Sequence, residues 1–95
     1  MAVKIILKRK FAKDKEARLL PLLIQMRALA ISQAGYISGE TLRNTEEPEE
    51  ILVISTWQSA ESWKAWFRSS QRAEIQEKID ALLEAKTEYG IYYYG

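Results

Sequence analysis

The chain has 95 residues, 47% hydrophobic and 28% charged, with 3 Trp, 5 Tyr and 2 Phe, enough for one compact core and too short for a second domain beside it. Its 14 Lys and Arg nearly balance 13 Asp and Glu, so no global field gathers nucleic acid or an anionic membrane around it. With no Cys and no His it lacks disulfides, thiolate nucleophiles, the commonest metal ligand and the commonest general base, which excludes most familiar enzyme classes.

Residues 2–10 open the chain with Val3, Ile5 and Leu7 alternating with Lys4, Ile6 and Lys8, the period-2 pattern of a strand with one buried face. The stretch has no signal-peptide character, and no window approaches the ~20 apolar residues that span a bilayer. A soluble cytoplasmic protein is the expectation. Asp14 is placed to cap a helix with Glu16 in its first turn, running to about Ser32, with Gly35 as its stop. Arg18, Pro21, Gln25 and Ser32 form one narrow polar stripe on it. Leu19, Leu20, Leu22, Leu23, Ile24, Met26, Leu29 and Ile31 cover most of the remainder, so the helix should be covered on more than one side. Pro21 lies too deep for the first helical position and should free the Ala17 carbonyl from its hydrogen bond.

Residues 35–44 (GYISGETLRN) and 51–57 (ILVISTW) read as strands joined by the acidic, Pro-containing loop TEEPEE, a hairpin with a polar tip. Ser59 caps a second helix in which Ala60, Trp63 and Phe67 share a face beside Trp66. After Ser69 and Ser70 a third helix puts Ile75, Ile79, Leu82 and Leu83 on one stripe. Tyr89, Ile91 and Tyr93 then alternate with Gly90, Tyr92 and Tyr94 in a last strand. No repeat, low-complexity tract or linker interrupts residues 1–95, which read as one domain.

The order strand, helix, strand, strand, helix pair, strand folds by the right-handed crossover rule into an α+β domain: a ferredoxin-like antiparallel sheet with helices on one face. Its other face would be bare, yet Ile6 and apolar residues of both parities in ILVISTW look buried, and tyrosines lie on both faces of the last strand. These residues predict a homodimer through the sheet face; Tyr92 and Tyr94 at a wet edge are the alternative.

The strings GYISGETLRN, ILVISTWQSAESWKAWFRSS and EIQEKIDALLEAKTEYGIY, in that order on those elements, resemble the antibiotic-biosynthesis monooxygenase (ABM) family over nearly the whole chain. A strand ending in Trp57, a helix capped at Ser59 and a further Trp66 form the most telling combination. The resemblance implies a dimeric α+β barrel with a pocket between sheet and helices in each subunit. It does not imply one reaction, since some members oxidise polycyclic aromatics without flavin or metal and others degrade haem.

Trp66 matches the tryptophan that lines the pocket in both branches, where its flat face meets a planar ligand; ordinary core packing is the competing reading. Trp63 is a second candidate, more simply a core contact with Phe67, and Trp57 is expected to cap the sheet edge. Gln76 and Lys8 stand where the haem-degrading branch carries its His ligand and an Asn, departures that argue against haem degradation. Cofactor-free oxygenation needs a dry pocket, a base, and donors for the resulting oxyanion. Tyr36, Trp63, Trp66 and Arg72 are therefore the candidate substrate-binding residues, with Arg43 and the C-terminal tyrosines to be checked for convergence. No catalytic residue is assigned, and no cofactor or metal is expected. For Lys8, Arg43 and Arg72 the plainer reading is a solvated or salt-bridged surface charge, and for Glu46, Glu47, Glu49 and Glu50 a solvated loop.

The expected function is a cofactor-independent monooxygenase acting on a small planar aromatic or quinol-type ligand, or else a noncatalytic small-molecule-binding or regulatory dimer of the same fold. RNA binding is disfavoured because ILVISTW lacks the basic, Gly and aromatic signature of RNA-recognition strands. Phosphate handling is disfavoured because KRKFAKDKE lacks glycines to cradle an anion.

Overall fold

A computed structural model describes residues 1–95. Strand β1 (Val3–Lys10) leads through a single 3-10 turn (Lys13–Lys15) into helix α1 (Glu16–Ile31), followed by β2 (Tyr36–Arg43), β3 (Glu50–Trp57), α2 (Ala60–Phe67), α3 (Ser70–Asp80) and β4 (Glu88–Tyr93). The four strands form one sheet in the order β2-β3-β1-β4, every pair antiparallel. That is the ferredoxin-like arrangement expected from the sequence.

Strand alternation sorts the two faces. Val3, Ile5, Leu7 and Arg9 of β1 stand opposite Trp57, Ser55, Val53 and Ile51 of β3. This face packs against Leu19 and Met26 of α1, Trp63 and Trp66 of α2, and Ile75 and Ile79 of α3, each fully buried aliphatic side chain contributing roughly 1.5–3 kcal/mol. The opposite face carries no helix. On it lie Ile6, Leu52 and Ile54, half-buried, with Leu42 and Tyr92 exposed and Lys4 donating to Thr56 Oγ1 at 3.1 Å.

Four local expectations change. Helix α1 is not covered on more than one side within this chain, since Leu20, Ile24 and Ile31 stay exposed. Asp14 caps nothing: it lies in the 3-10 turn, and α1 starts after Lys15 with no side-chain cap. Leu82 and Leu83 follow α3 rather than belong to it; Leu82 is buried, and Leu83 forms a bridge with Phe11. Trp57 does not cap an edge, because β3 is an inner strand and the indole is 1% exposed. The serine caps are as expected, Ser59 accepting from the Ser62 amide at 3.1 Å and Ser69 from the Arg72 amide at 3.2 Å. Pro21 sits inside α1 with Ala17 also exposed, so water can reach the released carbonyl.

Gly35 turns the chain into β2 at φ +89°, and a β-carbon there would collide with the Ser62 side chain. One residue later the register of β2 shifts between Tyr36 and Ser38. The extra residue, Ile37, reverses strand parity: Tyr36 stands opposite Trp57, and Gly39 opposite Ser55 on the same face. No helix is long and apolar enough to cross a membrane.

Candidate functional site

Between the sheet and the helices lies a cavity of about 70 Å³. All strands except β4 contribute to it, Leu7 and Arg9 from β1, Tyr36 and Gly39 from β2, Ser55 and Trp57 from β3, while Met26 and Arg27 of α1, Trp63 and Trp66 of α2 and Arg72 of α3 close it. Four aromatic side chains, Tyr36, Trp57, Trp63 and Trp66, form part of its wall. Tyr36 meets Trp57 edge-on at 5.4 Å between ring centroids, and Trp57 meets Trp63 at 5.8 Å. The Trp57 indole N–H donates to Ser55 Oγ at 3.0 Å, so the ring is buried without an orphaned donor. Gly39 makes room for the Tyr36 hydroxyl, which would lie 2.5 Å from a β-carbon at that position. Arg27 reaches across from α1 to donate to the Gly39 carbonyl at 2.9 Å.

Two arginines, Arg9 and Arg72, also line the cavity. Arg9 and Arg72 are only 2% and 3% exposed. Arg9 Nη2 donates to Gln76 Oε1 at 3.0 Å, and Arg72 Nη2 approaches the same oxygen at 3.5 Å while donating to Tyr89 Oη at 2.9 Å. The Gln76 amide nitrogen donates to Asp80 Oδ1 at 2.7 Å, which turns the carbonyl end of Gln76 toward the two arginines. The Arg72 guanidinium lies over the rings of Phe67, Tyr89 and Trp63 at 4.9, 5.3 and 5.5 Å, a weakly hydrated cation stabilised by π-faces. The ion pairs of the chain join Lys8, Lys10 and Arg43 to glutamates and include neither Arg9 nor Arg72. The shielded Nε of Arg9 has no hydrogen-bond partner. Burial pushes the Arg9 pKa down from the usual arginine value to about 10; neighbouring Arg72 adds to the drop, while Tyr89 and Asp80 oppose it.

All four residues singled out from sequence, Tyr36, Trp63, Trp66 and Arg72, line this cavity. Arg72 is thus no surface charge, contrary to the plainer reading. Arg43 lies elsewhere, pairing with Glu16 at 3.1 Å over the ring of Phe11. Lys8 pairs with Glu50 at 3.5 Å on the uncovered face. Among the C-terminal tyrosines only Tyr89 approaches the site, through Arg72; Tyr92, Tyr93 and Tyr94 are exposed. The residues that sequence reasoning missed are Arg9, Trp57 and Gln76 in its bridging role.

The sequence profile of a family described as antibiotic biosynthesis monooxygenase matches residues 2–78. The chain belongs to that family. Solved structures share its fold. A conserved protein from Methanosarcina mazei Go1 superposes with a TM-score of 0.93 at 21% identity, over 100% of this chain and 94% of that one. SnoaB, a cofactor-independent oxygenase from Streptomyces nogalater, gives 0.88 at 14% identity over 99% and 93%. Rv0793 from Mycobacterium tuberculosis gives 0.88 at 15% over 99% and 95%. No curated protein matches the chain in sequence. At these identities the antibiotic biosynthesis monooxygenase fold is common ground while side chains differ, so the reaction has to be argued from the cavity itself.

Proposed function

We propose that this family member is a cofactor-independent monooxygenase for a small planar aromatic substrate of phenol or quinol type, bound between sheet and helices, and that it works as a homodimer through the uncovered sheet face. One observation carries the reading: a cavity walled by Tyr36, Trp57, Trp63 and Trp66 is also lined by two buried arginines, Arg9 and Arg72, without salt-bridged carboxylate partners. Flat aromatic walls suit a planar ring. Fixed cations in a water-poor site stabilise an oxyanion far more than they would in bulk water.

The chemistry needs no outside reductant. Ionisation of the substrate places charge on an oxygen near Arg9 and Arg72 and raises electron density at a conjugated ring carbon. That carbon reduces O₂ and forms the new C–O bond. Loss of water then completes R₂CH₂ + O₂ → R₂C=O + H₂O, one oxygen atom entering the carbonyl and the other leaving as water. The arginines favour the ionised substrate; no side chain is assigned as the base. At about 70 Å³ the cavity is tight, so a ligand ring displaces wall side chains, and Met26 on α1 has the conformational freedom to give way.

Half-buried Ile6, Leu52 and Ile54 beside exposed Leu42 and Tyr92 support the dimer; sedimentation showing only monomer at micromolar concentration would end that part. The function is tested by native mass spectrometry with planar phenols and quinols, then oxygen consumption with those that bind. Oxygen uptake by wild-type protein, lost in a folded Trp66→Ala variant, is the expected result. Binding without uptake would favour a noncatalytic ligand-binding dimer, which the want of an assigned base also favours. No binding at all would end both readings.

A further inference from the structure

The site holds more positive charge than an uncharged aromatic ligand can use. Arg9 and Arg72 are almost completely buried, they share one neutral acceptor, Gln76 Oε1, and Arg9 Nε has no partner. A buried cation normally has a counter-ion, because its lost hydration is otherwise uncompensated. Arg9 also occupies a position that β1 otherwise fills with apolar side chains, following Val3, Ile5 and Leu7 on the helix-facing side. If its role were only to tie the sheet to α3 through Gln76, a neutral donor would do so without burying a charge. An anion would supply the partner that this pair of cations lacks.

We infer that the ligand ring bears a carboxylate that seats on Arg9 and Arg72, so the preferred occupant is a planar aryl carboxylate rather than an uncharged phenol or quinol. A carboxylate is ionised at neutral pH and presents paired oxygens to the planar guanidinium fork. A simple phenol is protonated there and offers one oxygen. The ring then lies among Tyr36, Trp57, Trp63 and Trp66. This inference rests on the reading of the cavity as an aromatic site, but it requires no turnover.

The test titrates wild-type protein at neutral pH with benzoate, benzamide and acetate, following affinity by calorimetry and the arginine Nε–H signals by NMR. Benzoate should bind at least about tenfold more tightly than its uncharged isostere benzamide, as expected for a hydrogen-bonded charge pair, and should move the Arg9 Nε–H signal. In Arg9→Gln the preference for benzoate over benzamide should shrink, since Arg72 alone is left to hold the carboxylate. Equal affinity for benzoate and benzamide in wild type would overturn the inference and leave the aromatic cavity standing. Benzoate binding without movement of the Arg9 signal would overturn it too, as would no benzoate binding. Acetate binding as tightly as benzoate at the Arg9 signal would keep the anion seat and refute the aromatic reading beneath it.

Discussion

Replacing Arg9 with Met should make the ligand-free protein more stable. Met follows the path of the arginine stem without its charge, at a position 2% exposed. The fall of the Arg9 pKa from the usual arginine value to about 10 corresponds to roughly 3 kcal/mol held against the protonated side chain, at about 1.4 kcal/mol per pH unit. Against this stands one charge-assisted hydrogen bond to Gln76, about 1.5 kcal/mol, and Gln76 Oε1 keeps its longer contact with Arg72. The net gain is about 1–2 kcal/mol, within the range for replacing buried charges by apolar groups. In a domain of 95 residues that raises Tm by at least about 4 °C. By linkage, a base whose folded pKa is lowered burdens the fold at every pH below that value and is relieved as pH rises above about 10 toward the ordinary arginine value. The Met variant should therefore hold its advantage throughout the neutral range and lose it in strong alkali. Urea denaturation and calorimetry across pH are the assays. A loss of stability of 1 kcal/mol or more, by the same order-of-magnitude reasoning, would show that Arg9 is a structural tie and refute the argument.

Ser69→Ala removes the acceptor for the Arg72 amide and the donor to the Trp66 carbonyl; it should cost about 1 kcal/mol and lower Tm by about 4–8 °C. Gly39→Ala places a β-carbon 2.5 Å from the Tyr36 hydroxyl, so the phenol must shift within the cavity wall; near-UV circular dichroism should change and ligand affinity should fall, with helix and sheet content intact. The hydrogen bond from Asn44, and then the nearby Lys8 and Lys10, hold the Glu50 carboxyl below its usual 4.5, with burial opposing them. That contribution is present above 4.5 and lost as pH falls through the lower folded value, so in Asn44→Ala the Glu50 carboxyl carbon should titrate at higher pH by NMR.

Strand and helix order was legible because β1, α2 and β4 carry clean periodicities and two helices start at serine caps. What stayed hidden depended on pairing. Arg9 shares the parity of Val3, Ile5 and Leu7, yet between Lys8 and Lys10 it reads as one more solvated cation until both neighbouring strands are in place. Tyr36 reaches the cavity side only through the shift at Ile37, which a sequence of alternating residues does not announce. Trp57 looked like an edge residue because strand order within the sheet is not local information. The stripe on α3 ran past Asp80 into Leu82 and Leu83, since a turn can bury the same residues a further helical turn would. Trp63, Trp66, Tyr36 and Arg72 could be gathered as candidates by residue type, whereas the charge imbalance left by the arginines lining the cavity required the contacts of Gln76.

The central place of β1 between β3 and β4 also governs how the molecule comes into being on the ribosome. The first strand made finds one neighbour only after β3 emerges and the other only when β4 does, after every other element of the domain. Until then its Ile- and Val-rich edge stays open, and pairing proceeds through contacts remote in sequence, which are slow to form. A nascent chain halted before β4 should therefore leave one side of β1 unpaired and prone to association with other strands, making the C-terminal segment the step that commits the domain to its native state.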